Sequence, residues 1–573
     1  MLAVLTHLSV MKLLAFEEAA ALRHSLAQCL STLAPEIPLF FSLLPCPRKL
    51  FPQKPEAEDE PTPSRRTHNV LNADLALALS TGPQLKPFSA NIFKLYLILS
   101  VAAMGSLSFG FDTNVISGVN GMVQFTNYFS IGGGDSGGGQ GVITAMLYSV
   151  FTFGCIAGSF VAGSIADRWG RRGGMFIASV IMLTGVSVVT AAQNRTYLLV
   201  GRFAIGFGST LNNSSAPAYV SELAPPQWRG CIAGLYNCFS FVGSMICSGL
   251  TVATGNINSS LSWRVPFAVQ FMPSIILAIG VCFIPESPRW LMSVGRKDEA
   301  RNILAKYHGN GDANAPLVVL EWRELEALIK TNDSGKGWWN YFNYSELFIS
   351  RGARYRIFIT SWLGFCCLMS GTGIFYYVTV AFDLAGVKTQ HGRLVFSSVS
   401  AVMAALGALF GASIIDRIGR RTLWLLGTAN CALTLGITAG FMAKKQSKGA
   451  IAFLLLFAFV QNMTYVPLQG KSYRVYIAEC LNFSVRAKGL AVVALIQSLA
   501  ALVNNYAGAV GFQAIGWEYI MVWAIWDVAE TVIIWFCAVE TKGRTLEELD
   551  EIFEDRHPVK ASLNKHYDAR GQS

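Results

Sequence analysis

Charged side chains are scarce in this chain, and their scarcity excludes a soluble globular protein. Of its 573 residues, 14% are Asp, Glu, Lys or Arg, 52% are hydrophobic, and the mean hydropathy is +0.42. Soluble domains carry roughly 25% charged residues, so we interpret the chain as an integral membrane protein. Its apolar runs suit helices, which need about 20 residues to cross a bilayer, and they lack the alternation of barrel strands.

The chain also lacks the signatures of common enzyme classes. It contains no H-E-x-x-H motif, no nucleophile elbow and no P-loop, and no Lys-Ser/Thr follows the glycine run at 132–139. Its twelve cysteines have no framework spacing, so we interpret them as small buried hydrophobes. We expect no enzymatic activity, no metal and no cofactor. His308 and His391 are isolated in sequence, and we expect both to be exposed to solvent.

Twelve apolar segments predict twelve transmembrane helices. The first six lie at 92–115, 141–166, 174–192, 197–221, 231–252 and 264–284, and the second six at 356–382, 393–415, 421–442, 450–478, 487–511 and 517–538. The predicted domains are a largely disordered tail (1–90), a first bundle (91–284), a linker with short amphipathic helices (285–352), a second bundle (353–540) and a C-terminal tail (541–573). The prediction for the first tail rests on the Pro-rich, charged stretch at 52–66.

The two sets of six segments repeat each other. The stretch 163-GSIADRWGRR-172 follows the second segment, and 412-ASIIDRIGRR-421 follows the eighth. Likewise 219-YVSELAPPQWRG-230 ends the fourth segment and 476-YIAECLNFSVRAKG-489 ends the tenth. Halves repeated in this way are typical of transporters, whose site lies between the repeats.

Basic residues predict the orientation in the membrane. Lys and Arg favour cytoplasmic loops, and the two D-R-x-G-R-R loops are rich in arginine, whereas the stretch 131–141 contains neither. The loop with Lys444, Lys445 and Lys448 opposes this assignment. We predict that both repeated loops, the linker and both termini are cytoplasmic, and we attribute the net charge of +10 to such loops, with no nucleic-acid partner.

These motifs resemble those of the major facilitator superfamily, and further stretches resemble its sugar porter branch. The latter are 201-GRFAIGFG-208, 285-PESPRWL-291 and 539-VETKGRT-545; finer detail, such as 305-AKYHGNGD-312 and 465-YVPLQ-469, resembles the fungal lactose-permease-like and disaccharide-permease-like group. The resemblance implies an all-α fold of twelve helices in two six-helix bundles. It also implies a monomer of the plasma membrane that carries a disaccharide or hexose by alternating access, coupled to protons, with the sugar and the bilayer as its partners.

Asp112 lies within an apolar run, in 106-SLSFGFDTNVISG-118, and Arg202 lies in the fourth segment. A lone charge near the centre of a bilayer costs about 2.5–3.5 kcal/mol, so such residues are usually paired and functional. The resemblance implies that Asp112 takes up the coupling proton and that Arg202 lies near it. The alternative is a fixed bridge without titration, as in a uniporter.

The repeated loops predict a cytoplasmic gate. Its residues are Asp167, Arg168, Arg171, Glu222 and Arg229 in the first half, and Asp416, Arg417, Arg420, Glu479 and Arg486 in the second. We predict that the aspartates accept hydrogen bonds from helix N-termini and that the arginines pair with the glutamates. Such charge-assisted bonds would hold the halves together until the carrier opens inward. The alternative is that the arginines only set the topology.

The resemblance assigns the sugar to Asn237, Thr372, Tyr376, Tyr377 and Asn504. In 366-CCLMSGTGIFYY-377, however, Cys366 and Cys367 replace two glutamines of sugar porters, and Thr372 replaces an asparagine; the disaccharide group's glutamine falls at Leu368. The substrate therefore stays open between a sugar, a polyol and an aromatic acid, and a nutrient sensor without flux is an alternative.

Residues 471–474 look inserted, and their two cations predict a break or bulge in the tenth helix.

Overall fold

The structure, a computed structural model, describes Leu77 and residues 90–131, 142–332, 345–469, 475–481, 486–542, 544 and 546–563. Within these ranges the regular structure is helical, with no strand. The predicted N-terminal tail, apart from Leu77 and Ala90, and the predicted insertion at 471–474 lie outside the described residues. On either side of the insertion, one helix ends at Gln469 and the next begins at Val475.

Eleven helices make up the first half and the linker. They are α1 (Ala90–Asn120), α2 (Val123–Tyr128), α3 (Val142–Arg168), α4 (Gly170–Thr190), α5 (Arg195–Leu223), α6 (Pro226–Thr254), α7 (Leu261–Val269), α8 (Phe271–Phe283), α9 (Pro288–Ser293), α10 (Lys297–His308) and α11 (Pro316–Asn332) within the described ranges. The last three form the linker, where the sequence predicts short helices.

The second half begins after a short 3₁₀ turn at Ser345–Leu347. Its described helices are α12 (Arg351–Met369), α13 (Gly373–Tyr376), α14 (Val378–Leu384), α15 (Gln390–Ile418), α16 (Arg420–Ala443), α17 (Ser447–Gln469), α18 (Val475–Cys480), α19 (Arg486–Ile515), α20 (Glu518–Cys537), α21 (Leu546–Glu554) and α22 (Pro558–Leu563).

Each of the twelve predicted spans corresponds to helix in the structure. Among the described residues, eleven helical segments are long and apolar enough to cross a membrane. The remaining span, the fourth in the predicted order, is α5, a helix of 29 residues that is more polar because it contains Ser209, Asn212 and Ser215. These side chains are buried, and α5 packs against both α3 and α4. A polar helix can span a bilayer when its neighbours shield it from lipid.

The same helix pairing recurs in both halves. In the first half α3 and α4 pack on α5, α1 packs on α6, and α4 packs on α8. In the second half α15 and α16 pack on α17, α12 packs on α19, and α16 packs on α20. The halves then meet through α3 with α19 and α6 with α15, which are corresponding pairs. This symmetry confirms the prediction of two repeated six-helix bundles.

The seventh span differs from the continuous helix predicted at 356–382. Helix α12 ends at Met369, and Gly371 adopts φ +67°, a left-handed conformation that favours glycine. A Cβ at Gly371 would also lie 2.8 Å from the ring of Phe457. The chain then resumes as α13 and α14. The break frees backbone carbonyls at the end of α12 for side-chain donors.

The C-terminal segment and the linker both pack against the bundles beside them. In the segment predicted as a C-terminal tail, α21 and α22 pack near α12, where Arg356 contacts Asp550 at 2.6 Å and lies over the ring of Phe553. In the linker, His308 is buried between Glu321 and the Leu223 carbonyl. The expectation that His308 is exposed is therefore wrong, because α10 folds back on the end of α5; His391 is exposed.

Candidate functional site

The first half brings Asp112 and Arg202 together in its interior. Asp112 is 0% exposed and Arg202 is 2% exposed. The Ser209 hydroxyl donates to Asp112 Oδ2 at 2.8 Å, and Arg202 Nη1 lies 3.5 Å from the Asp112 backbone carbonyl. Arg202 and Ser209 are about two turns apart on α5, so they share the face that packs on α1. The guanidinium also lies 4.6 Å from the ring centre of Phe151, on α3.

This arrangement suits a carboxyl that changes protonation. A serine hydroxyl can donate to an ionised carboxylate, and it can accept from a protonated one. Ser209 therefore offers Asp112 a partner in either form. An acid held in this way can gain or lose a proton without a change of hydrogen-bond partner.

Polar side chains gather where the seventh span is broken. Thr372 Oγ1 donates to the Cys367 carbonyl at 2.6 Å and accepts from Gln461 Nε2, on α17, at 2.9 Å. Asn504, on α19 and 0% exposed, donates from Nδ2 to the Leu368 carbonyl at 2.7 Å. Its Oδ1 has no hydrogen-bond partner in the described part of the chain. The site thus contains an unused hydrogen-bond acceptor, which is buried in this structure.

The two tyrosines of this segment differ in their surroundings. Tyr377 is 0% exposed and donates to the Asn505 backbone carbonyl at 2.6 Å, so it packs α14 against α19. Tyr376 is only partly buried, and its backbone carbonyl accepts from the Tyr148 hydroxyl, on α3, at 2.6 Å. Asn237, the remaining predicted substrate residue, lies on α6 and is partly buried. Tyr376 therefore keeps accessible surface, whereas Tyr377 has none.

Hydrogen bonds between the halves run from this segment toward one end of the bundle. We call this end, where Gln390 lies beside Gly255, the facing end. The opposite end, which carries the D-R-x-G-R-R loops at 167–172 and 416–421, is called the basic end. Ser117 donates to the Phe375 carbonyl at 3.2 Å, and Asn505 donates to Thr152 at 3.1 Å. Gln390 donates to the Gly255 carbonyl at 2.6 Å. The two halves are therefore joined at the facing end.

At the basic end the predicted ion pairs form inside each half. Arg171 lies 3.2 Å from Glu222 and 3.2 Å from Asp167. In the repeat, Arg420 lies 3.0 Å from Glu479. These pairs fix the ends of α3, α4 and α5, and of their counterparts, within one half. The sequence analysis predicted that these pairs hold the two halves together. In this structure each of them lies within one half.

The other predicted gate residues are more peripheral. Arg168 and Arg417 are exposed, and Arg229 lies 3.5 Å from Glu321 of the linker. The side chains of Asp416 and Arg486 lie outside the described residues. Arg229 therefore ties the start of α6 to α11.

Two glutamates that the sequence analysis did not assign cap the helices at the basic end. Glu286 accepts from the backbone N–H groups of Arg171 and Arg172, at 3.1 and 3.2 Å, at the start of α4. Glu540 accepts from those of Arg420 and Arg421, at 2.9 and 3.2 Å, at the start of α16. Burial raises the pKa of Glu286, and its backbone donors oppose that rise. Glutamates therefore cap these two helices, and Asp167, predicted to accept from a helix N-terminus, accepts from the Arg171 side chain.

Sequence signals existed for some of the residues missed. Glu286 and Glu540 are the second residues of the stretches 285-PESPRWL-291 and 539-VETKGRT-545. Their matching positions after the sixth and twelfth predicted spans were therefore a sequence signal. Asp527 and Glu530 are visible as charges inside the twelfth predicted span. By contrast, the roles of Tyr148 and Gln461 depend on contacts between distant helices, for which the local sequence carries no signal.

Comparisons with known proteins agree with this fold. A family model described as "Sugar (and other) transporter" matches residues 98–553. High-affinity glucose transporter 1 of Candida albicans is 30% identical over 497 residues, 82% of this chain and 87% of that protein. A probable quinate permease of Aspergillus flavus is 27% identical over 487 residues, 81% of this chain and 88% of the permease.

Solved structures with the same fold come from a bacterial transporter. The inward-open xylose transporter XylE from E. coli superposes with a TM-score of 0.65 at 22% identity, covering 80% of this chain and 99% of XylE. The proton:xylose symporter XylE bound to 6-bromo-6-deoxy-D-glucose gives a TM-score of 0.63 at 22% identity, with the same coverage. The likeness extends over nearly the whole of XylE and therefore over both halves of this chain.

Proposed function

This chain belongs to the sugar (and other) transporter family, and from that premise we propose that it moves a hexose-sized sugar across the plasma membrane by alternating access, together with protons. The family supports transport, and a glucose transporter 30% identical over most of the chain supports a sugar. We also propose, from the arginines of the repeated loops, that the basic end and both termini are cytoplasmic.

The polar cluster at the break in the seventh span is the observation that carries the proposal. Sugar hydroxyls both donate and accept, so a sugar site needs groups of both kinds. Thr372, Gln461 and Asn504 supply them, and Asn504 Oδ1 is unused by the described residues. The ring of Tyr376 supplies an apolar face beside them. Gln461 also replaces, from another helix, part of the amide chemistry that Cys366 and Cys367 have lost.

Proton coupling rests on the second cluster, around Asp112. Its carboxyl is fully buried and Ser209 can serve it in both protonation states. A relative by fold, XylE, is described as a proton:xylose symporter. A membrane potential contributes about 2.3 kcal/mol per charge per 100 mV. A carrier of a neutral sugar can use this energy only if it moves a coupling ion, and a titrating Asp112 would bind a proton for that purpose.

The closed facing end indicates which state the structure represents. Ser117, Tyr148 and Gln390 join the halves there, while the ion pairs at the basic end lie within each half. With the basic end cytoplasmic, this is a carrier closed to the outside. We propose that outward opening breaks these bonds at the facing end and brings the basic ends of the two halves together.

A second candidate substrate is a cyclic polyhydroxy acid. A probable quinate permease is 27% identical to this chain, and the seventh span has lost two amides at Cys366 and Cys367. Fewer amides favour a ligand with fewer hydroxyls. A carboxylate ligand would also need a cation, and the buried Arg202, which lies beside Tyr148 and Phe151, is a candidate.

Uptake in transporter-deficient cells tests the proposal. Cells expressing the chain would be given labelled glucose, xylose, a disaccharide, a polyol and quinate, each with and without a protonophore. We expect uptake of a hexose that accumulates above the external concentration and is lost with the protonophore. Uptake of quinate alone would favour the second candidate. Sugar uptake that ignores the protonophore would indicate a uniporter, and saturable binding without flux would indicate a sensor.

A further inference from the structure

Helix α20 places two acidic side chains inside the second half. Asp527 and Glu530 are both 0% exposed, and both lie near the middle of the helix. Side chains three residues apart share a helix face, with Cβ atoms about 5–6 Å apart. In the described part of the chain, neither carboxyl forms an ion pair with Lys, Arg or His. The site around Asp112 lies in the other half, so this pair is separate from it.

Hydroxyl and thiol groups from three other helices surround the pair. The Tyr465 hydroxyl, on α17, donates to Glu530 Oε1 at 2.6 Å and lies 3.0 Å from Thr428 Oγ1, on α16. The titratable groups that face the pair are Cys366 and Cys367 from α12, Cys431 from α16 and Tyr465 from α17. All of them are neutral in their ordinary form, so none supplies a positive charge.

Two polar donors also face the pair. The Ser370 hydroxyl, 0% exposed, faces Asp527, and the Trp526 indole N–H faces Glu530, but neither forms a hydrogen bond of normal geometry with the described residues. Both carboxyl oxygens of Asp527 and Oε2 of Glu530 are likewise without such a bond. Buried polar atoms are rarely left unsatisfied. Three acceptor oxygens therefore face two neutral donors, and one further donor is needed to satisfy all three.

A single proton satisfies this arrangement. Two ionised carboxylates that are buried side by side, without a cation, repel each other and lack solvation. One added proton removes one charge and supplies the missing donor. Because Tyr465 already donates to Glu530, Glu530 is the better acceptor, and Asp527 is the member that carries the proton and donates it. No group of His, Cys, Asp and Glu among the described residues could hold a metal ion.

We propose that Asp527 and Glu530 form a proton-binding site, distinct from Asp112, which holds one proton between the two carboxyls and exchanges it when the broken seventh span moves. Ser370 is the C-cap residue of α12 and directly precedes Gly371 and Thr372. A shift of this segment removes Ser370 from Asp527 and changes the surroundings of the pair. The site itself does not depend on the proposed sugar, whereas its exchange during transport rests on the proposed function.

Infrared spectroscopy of the purified full-length protein tests the proton site without any substrate. A protonated carboxyl has a carbonyl stretching band separate from that of a carboxylate. We expect this band in the wild type at neutral pH and a clear decrease of its intensity in the Asp527→Asn/Glu530→Gln double variant, in which Asp112 could still contribute to it. The control is Asp383→Asn, because Asp383 lies 2.8 Å from Arg393 and is a buried but paired carboxylate; this variant should keep the band.

Other outcomes would contradict the proposal. A wild type without the band at neutral pH overturns it, even if the double variant does not fold. A band that persists unchanged in the double variant also overturns it. For exchange, the pH dependence of labelled glucose counterflow should flatten in the double variant, and an unchanged pH profile overturns that part. A wild type that exchanges no glucose refutes the proposed function, while the infrared result still decides the proton site.

Discussion

Asp112 is held by a hydroxyl donor, and this decides what its removal should do. Ser209 donates to its carboxylate at 2.8 Å, whereas Arg202 lies 3.5 Å from its backbone carbonyl. A serine hydroxyl can donate to an ionised carboxylate and accept from a protonated one. The contact with Ser209 can therefore persist in either protonation state, and the proposed proton coupling requires that this carboxyl titrates.

Replacing Asp112 by asparagine should separate accumulation from exchange. Asp112→Asn keeps the shape and mimics the protonated form, so we expect no accumulation against a gradient, while counterflow of labelled sugar survives. The measurement is uptake and counterflow in vesicles from expressing cells. Asp383→Asn is the matched control, because it removes a buried carboxylate outside the site, and it should still accumulate sugar. Protonophore-sensitive accumulation by Asp112→Asn would place the coupling proton elsewhere.

Thr372 should contribute to affinity through its hydroxyl. Thr372→Val removes the acceptor for Gln461 Nε2 and the donor to the Cys367 carbonyl. A buried hydrogen bond is worth about 0.5–1.5 kcal/mol, so we expect the KM for sugar to rise about two- to tenfold with little change in expression. Thr372→Ser keeps the hydroxyl and should behave like the wild type. Equal KM values for the two variants would show that the hydroxyl does not serve the site.

At the scale of helices, the glutamate caps should matter more than surface ion pairs. Glu286 accepts from the first backbone N–H groups of α4, and losing a cap costs about 0.5–2 kcal/mol. We expect Glu286→Ala, and Glu540→Ala in the repeat, to lower the apparent melting temperature of the purified protein. Glu299→Ala is the control, because its pair with Arg296 is exposed on both sides and such pairs contribute little. A similar loss in all three variants would contradict the capping role.

The helices themselves could be predicted from sequence, and their interruptions and partners could not. Apolar length and the repeat predicted twelve spans, including the polar α5, because hydropathy and motif spacing are local properties. The break at Gly371 was missed, since 366-CCLMSGTGIFYY-377 contains no proline and reads as continuous helix. The contact of Thr372 with Gln461 and the buried pair in α20 depend on tertiary packing, which one sequence does not reveal.

At the scale of the whole molecule, closure of the facing end should be essential for transport. A Cβ at Gly121 would lie 3.0 Å from the Cβ of Thr379 in the other half, and a small separation of the two segments would give the roughly 3.5–4.5 Å of a disulfide. We expect Gly121→Cys/Thr379→Cys to form a cross-link under oxidation, to stop uptake, and to recover with a reductant. Each single variant is the control and should be insensitive to oxidation. A cross-linked carrier with normal uptake would show that the halves need not separate there.

Proton movement with sugar in a purified system tests the central claim most directly. The wild-type protein would be reconstituted in liposomes, an inwardly directed proton gradient imposed, and internal labelled glucose and pH followed together. The account predicts that glucose accumulates above its external concentration, that added glucose speeds the collapse of the pH gradient, and that a protonophore abolishes accumulation. Glucose that only equilibrates, with no associated proton flux, would contradict proton-coupled sugar transport by this chain.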